Sequence, residues 1–212
     1  MAFSGGGKLT KRKTEVFETR LSRWTELVKE GTEEALSGLS RMVGKKIRIT
    51  AFDLKVIPVS EVADMVGGAE KEVVSIYVGI TGIATGHIML VYPQQVAFGL
   101  VDMLMDCEYG TTRELGTLEA SALAEVGNIT GSFLLNSMAY NLGMRLMPTP
   151  PQVMVDMLGA VLSIPLTDIM KHRDDLFMMS TVFATEGQSI IGTLLVMPSG
   201  ELMDLLVEEF SE

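Results

Sequence analysis

The same order of segments occurs twice in this 212-residue chain. In the first half a helical pattern from about Val16 to Met42 is followed by an alternating run, KKIRITAFDLKVIPV. Two β-rich runs, EVVSIYVGITG and IATGHIMLVYP, come next with glycine between them, and Pro93 opens a short amphipathic helix, QQVAFGLVDMLM. The second half has a long helix from Thr117 to Leu142, an extended proline-studded run MRLMPTPPQVMV, and the paired runs LFMMSTVFATEG and QSIIGTLLVMP. Pro198 then opens a closing helix, GELMDLLVEEF. The long helices repeat at an offset of 99 residues and the two prolines at 105. LGAVLSIPLTDIMKH has no counterpart in the first half; it reads as an insertion that adds a short helix.

A helix, three strands and a helix cannot bury their sheet alone, so the two copies must share one core. The expected fold class is α+β: one mostly antiparallel six-stranded sheet with helices packed on it and pseudo-twofold symmetry. Residues 20–212 are expected to form a single domain, with repeat 1 at about 20–110 and repeat 2 at about 115–212. Residues 1–19 read as a flexible basic tail.

Composition narrows the function classes. The mean hydropathy of +0.31 raises the question of a membrane protein. The most apolar stretch, QVMVDMLGAVLSIPL, is broken by Asp156 and Pro165 and falls short of the roughly 18 residues a spanning helix needs, so no stable membrane insertion is expected. Lys8, Lys11, Arg12 and Lys13 are not followed by an apolar segment, so no secretory signal is read. Cys107 is the only cysteine, which excludes an internal disulfide and fits a reducing, cytoplasmic location. Residues 1–50 carry a net charge of +5 and the rest −15, and an acidic body argues against nucleic acid as the partner. The basic start could meet an acidic protein or membrane surface, but a solvated tail is the simpler reading.

The usual catalytic apparatus is missing from the sequence. His87 and His172 stand apart from any metal-ligand spacing, so no metal site is expected. No nucleophile elbow, P-loop or dinucleotide fingerprint is present. Acidic neighbours make Cys107 a poor thiolate. An enzyme built from this chain would work without a nucleophile, metal or organic cofactor of its own.

One segment stands out, SALAEVGNITGS at 121–132. Ala122, Val126, Ile129 and Phe133 recur at helical spacing and read as the core stripe. Ser121, Glu125, Asn128 and Ser132 form a second stripe about 100° around the helix, on its shoulder. Gly127 and Gly131 lie beside them, each costing roughly 1 kcal/mol in a helix interior. They read as clearance for a partner's backbone or phosphate, although a bare Glu-x-x-Asn also occurs on solvated faces and such glycines also suit tight internal packing.

Ser121-x3-Glu125-x2-Asn128-x22-Pro151 resembles the signature of the CheC/CheX/FliY phosphatases of chemotaxis: Asp or Ser, Glu, Asn and Pro at those spacings. LAEVGNITGSFL is similar to the active-site helix of that family, and the duplicated architecture also resembles it. The likeness covers about residues 20–212 and is closest to CheC. It implies a protein aspartyl-phosphate phosphatase whose substrate is phosphorylated CheY, the response regulator. Asn128 would position the attacking water, Glu125 would pair with the regulator's lysine, and Ser121 and Pro151 would support them. The regulator would bring its own magnesium, so no cofactor of this chain is implied.

Applying the 99-residue offset puts Ser22 and Glu26 at the Ser and Glu positions of a first site, with Lys29 for Asn and Phe52 for Pro. An ammonium donates hydrogen bonds but cannot accept one, so it cannot hold a water as a carboxamide does. The first site reads as degenerate. PQVMVDMLGAVL resembles the CheC segment that docks the deamidase CheD, which carries CheD binding onto Asp156; a helix cap suits the same residue. The competing function is a non-catalytic chemotaxis adaptor that binds CheD, the regulator or both. A flagellar-switch component like FliY would need a further C-terminal domain, whereas this sequence ends at Glu212.

Overall fold

Alternating apolar residues on long strands can be buried on both faces only if helices cover both, and that is the arrangement found. The computed structural model describes residues 6–171, 175–185, 188–202 and 205. In chain order they form α1 (Gly6–Val43), β1 (Arg48–Pro58), a 3-10 turn leading into α2 (Val62–Val66), β2 (Glu72–Gly82), β3 (Gly86–Pro93) and α3 (Gln94–Leu104). The second repeat supplies α4 (Thr117–Leu142), β4 (Leu146–Pro148), β5 (Gln152–Met157), α5 (Leu158–Ile169), β6 (Asp175–Thr185), β7 (Gln188–Ile190) and β8 (Thr193–Pro198). The backbone turns helical again at 200–202, after Pro198 as expected.

All recorded strand pairs are antiparallel. On one side β2 pairs with β3 and β3 with β8; on its other side β2 pairs with β5 along Glu72–Tyr77 and with β4 along Ile80–Gly82. β1 pairs with β6, which also carries β7 and lies beside β8. Laid side by side across the β8–β6 contact, the two sheets follow the order β4/β5–β2–β3–β8–β6–β1. Each repeat places its first strand on the other repeat's second strand, so neither half is a separate sheet.

Three expectations change. Six predicted runs become eight strands, in a three-stranded and a five-stranded sheet. Prolines at 148, 150 and 151 lack the amide a ladder needs, which splits one run into β4 and β5, and the run from Gln188 breaks at Ile191–Gly192. Second, α1 begins at Gly6 rather than near Val16. Residues 8–20 contain no glycine or proline and are rich in Lys, Arg and Glu, so helix propensity carries it back through the segment read as a loose tail. Third, α5 is not an insertion without a counterpart. The turn at 59–61 and α2 occupy the same place between first and second strands, and α2 packs on α5.

Strand alternation divides two cores. Val74, Ile76, Val78, Ile88, Leu90, Leu194 and Val196 face α1, α3 and α4. Val73, Met89, Val91, Leu195 and Met197 face α2 and α5. The long helices cross closely: a β-carbon on Gly31 would lie 2.9 Å from Leu134 Cα, and one on Gly38 would lie 2.6 Å from the Phe133 ring. No helix among the described residues is long and apolar enough to cross a membrane.

Candidate functional site

The boundaries of α4 are the predicted ones, and its ends explain themselves. Ala120 N–H donates to Gly116 O across the first turn, and Gly143 ends the helix in the left-handed region at φ 62. Met144 N–H then returns to Ala139 O at 3.0 Å, as a helix-terminating glycine allows.

The helix buries a different arc from the one read in the sequence. Leu123, Val126, Thr130, Leu134 and Met138 are buried, whereas Ala122, Ile129 and Phe133 are half-buried. Ile129 and Phe133 lean on α1 at Gly38 and Leu134 on α1 at Gly31, so the Leu123–Thr130–Leu134 line points into the core between α1 and the sheet. At 100° per residue, Ser121, Glu125 and Asn128 lie roughly 170° from that line, on the outward side rather than on a shoulder. All three are exposed.

The glycines are corrected as well. Gly127 and Gly131 are buried and face inward. A β-carbon at Gly127 would stand 2.5 Å from Ile76 Cγ2 and 3.1 Å from Pro151 Cβ; at Gly131 it would stand 3.1 Å from Val78 Cγ1 and 3.5 Å from Pro148 Cβ. They give α4 close approach to β2 and to the proline segment. They offer a visitor no clearance.

Pro151 thus packs behind α4 one residue before Asn128. Its loop is pinned where the β-ladder is interrupted: Thr149 N–H donates to Gly79 O at 2.9 Å, and Gly79 N–H donates to Thr149 Oγ1 at 2.8 Å. Ser121 Oγ donates to Thr117 O at 2.8 Å, so its hydroxyl is held by the helix itself. No hydrogen bond or ion pair among the described residues occupies the Glu125 carboxylate or the Asn128 amide, and both project from a backbone fixed on its inner side. An acceptor-only carboxylate and a donor–acceptor amide one turn apart can between them engage a cation, a water and a phosphoryl oxygen.

In the first repeat Ser22, Glu26 and Lys29 are likewise exposed on α1, with Val28 and Thr32 buried beneath them. Phe52 is half-buried against the main core. Asp156, on edge strand β5 opposite Val73, is exposed, and its Oδ1 accepts the Met157 N–H at 2.7 Å. It does not cap α5 in the usual way. Leu158 and Gly159 N–H groups at the start of α5 are taken by Lys71 and Ala69 carbonyls at 2.8 and 2.9 Å.

Two polar clusters escaped the sequence reading. On the α5 side of the sheet, Tyr77 OH meets His87 Nδ1 at 2.9 Å, His87 Nε2 meets Asp168 Oδ2 at 3.3 Å, and Lys171 Nζ meets Asp168 Oδ1 at 3.1 Å. Burial pushes His87 below its ordinary value, with Asp168 partly opposing; burial and Asp168 together push Tyr77 up. The Lys171 hydrogen bond leads in holding Asp168 down. His87 and Asp168 are 81 residues apart, which no local pattern reveals. The other histidine, His172, lies outside the described residues. The second cluster is Asp102, buried in α3. Burial pushes its carboxyl up, but hydrogen bonds from Thr112 Oγ1 (2.6 Å), Thr112 N (2.8 Å) and Gly110 N (2.7 Å) outweigh that and hold it down. A lone acid inside QQVAFGLVDMLM was the available signal. Among the described residues no group of three or more His, Cys, Asp or Glu is placed to hold a metal.

Comparison with known proteins matches residues 118–155, which span most of α4 through β5, to the CheC-like family. The chain is 28% identical over 153 residues to "CheY-P phosphatase CheC" of Bacillus subtilis, covering 71% of this chain and 73% of that protein. Among solved structures, Thermotoga maritima FliY superposes with a TM-score of 0.72 at 21% identity, covering 91% of this chain and 96% of the other. The FliM middle domain from H. pylori gives 0.63 at 10% identity, over 91% and 98%. At these identities the two structures speak for the fold alone.

Proposed function

We propose that this chain, a member of the CheC-like family, hydrolyses the aspartyl phosphate of a CheY-type response regulator. The observation that carries this reading is the exposed, uncommitted Glu125–Asn128 pair on the outward side of α4, in the segment that matches the family. An aspartyl phosphate is an acyl phosphate. Its hydrolysis needs a water held in line with the bond between phosphorus and the aspartate oxygen, and positioning dominates such transfers. Asn128 accepts a hydrogen bond from that water through Oδ1 and steadies a phosphoryl oxygen through Nδ2. The water's oxygen bonds to phosphorus as the bond to the aspartate breaks, releasing inorganic phosphate and the free carboxylate. Glu125 pairs with the regulator's lysine and orients the complex. Charge compensation at the phosphoryl group falls to the regulator's own magnesium and lysine, so this chain needs no cofactor. Ser121 and Pro151 hold the helix: one closes its first turn, the other backs Gly127. The first-repeat trio Ser22, Glu26 and Lys29 has a donor-only ammonium where the water-holding carboxamide should be, and does not hydrolyse.

CheD is proposed to dock at Asp156, whose carboxylate the start of α5 does not require. The second reading is a non-catalytic adaptor for CheD or the regulator, favoured by the Lys29 substitution and by a fold shared with the FliM middle domain. Timing phosphate loss from phosphorylated CheY with wild-type protein and Asn128→Ala decides between them. Removing a positioned hydrogen-bonding group should slow decay by about 10²-fold or more. Equal decay with both proteins would leave the adaptor as the answer.

A further inference from the structure

The two repeats diverge in more than Lys29. At the 99-residue offset, Gly127 corresponds to Val28 and Gly131 to Thr32. In repeat 2 those glycines let α4 settle on Val78, Pro148 and Pro151. In repeat 1 a valine and a threonine occupy the corresponding positions, both buried. Further along α1, an open groove of about 490 Å³ lies between its C-terminal half and the start of β1. That is within the range of about 300–1,000 Å³ typical of ligand clefts.

The floor of the groove is apolar: Leu36 and Ile47 are buried and Ile49 half-buried. One lip carries Lys46 and Arg48, with Arg41 and Lys45 close by in sequence, and all four are exposed. No acidic residue occurs between Glu34 and Asp53, and none of these four cations forms an ion pair among the described residues. Arg41 is held over the groove wall by its Nη1–H bond to Ser37 Oγ (3.1 Å), and Ser40 Oγ accepts Ile47 N–H (2.9 Å), which ties helix to strand at the closed end. Glu33 is the one acid in the lining. In a chain of net charge −10, four unpaired cations at the mouth of an apolar groove are a local reversal of sign.

The geometry points to a peptide-binding groove between the C-terminal half of α1 and the start of β1, for an acidic segment of a partner protein with at least one apolar side chain. Carboxylates would meet Lys46 and Arg48 at the lip, and the apolar side chain would fill the space over Leu36, Ile47 and Ile49.

Fluorescence anisotropy with a labelled seven-residue peptide of alternating glutamate and leucine tests this, against an all-glutamate peptide of equal length. Wild-type protein should bind the mixed peptide saturably, and raised salt should weaken the complex. Lys46→Glu combined with Arg48→Glu, and separately Ser37→Trp, which fills the groove without touching those two cations, should each weaken it by about tenfold or more. The all-glutamate peptide should bind at least about tenfold more weakly, because it lacks the apolar anchor. These positions are exposed, and unchanged melting temperatures would confirm that the variants fold. Decay of phosphorylated CheY, read in parallel, should not change, so this test and that of the second-repeat site fail independently. Absence of saturable binding, equal binding by the variants, equal affinity for the all-glutamate peptide, or preference for phosphatidylserine vesicles over the peptide would overturn the proposal.

Discussion

Replacing Gly127 by alanine separates two explanations of the glycine strip, because they predict opposite signs. If the strip is clearance for a partner, alanine removes a helix-weakening residue and stability rises by about 1 kcal/mol. The structure argues otherwise. The new β-carbon would lie 2.5 Å from Ile76 Cγ2, while carbons pack at about 3.5–4.0 Å, so the gap must open by about 1 Å. Ile76 is fully buried within the main core and cannot swing aside without displacing neighbours. Overpacking of this kind costs about 1–3 kcal/mol. Against the helix gain, the net is a loss of about 0–2 kcal/mol, a fall in melting temperature of roughly 2–4 °C per kcal/mol for a chain of this size. The same methyl pushes α4 away from Pro151, one residue from Asn128. A displacement near 1 Å can cost about 10²-fold in a positioned reaction, so phosphate decay should slow even though no reacting group is altered. Urea unfolding and the decay assay on one preparation read both effects. A variant that melts higher than wild type would refute the inward-packing argument.

Two further outcomes follow from the polar residues. Asp102→Asn keeps the shape but loses a charged acceptor of three hydrogen bonds, and should cost about 2–4 kcal/mol in urea unfolding at pH 7. Because folding lowers this carboxyl's pKa, its contribution is present above about pH 4 and is lost as pH falls through the folded-state value, so the wild-type advantage over the variant should shrink in acid. Asp156→Lys alters an exposed side chain and should leave stability within about 0.5 kcal/mol while abolishing capture of CheD on a biosensor; undiminished capture would remove Asp156 from that role.

How far the fold was legible depended on whether the signal was local. Thr117–Leu142 was readable to the residue because a glycine flanks each end of a long periodic run. The split of 146–157 was implicit in its prolines. The orientation of α4 was not, for a physical reason: the helix is covered by the sheet on one side and by α1 on another. Its buried residues therefore span a wide arc, and Ala122–Val126–Ile129–Phe133 caught only the edge that leans on α1. Spacing correctly grouped Ser121, Glu125 and Asn128 but could not say which side of the helix they occupied. The glycines were ambiguous in the same way, since a missing side chain suits an approaching partner and an approaching strand equally.

The exchange of first strands between repeats bears on why one fold can hold two unlike sites. Pro151, behind the α4 pair, enters β5 on the strand of repeat 2 that pairs with β2 of repeat 1. Phe52, its counterpart, sits in β1 on the β6 edge. The strands behind the two sites thus lie at opposite edges, with the middle strands β3 and β8 between them, while the helices that carry the sites cross closely at Gly31 and Gly38. Lysine for asparagine is then only part of the divergence. Val28 and Thr32 stand where the other helix has Gly127 and Gly131, and no proline stands behind Lys29 as Pro151 stands behind Asn128. On the proposed mechanism, in which the partner supplies half the chemistry, hydrolysis depends on a rigid rail to present the other half. Only the second repeat has the glycines that seat such a rail.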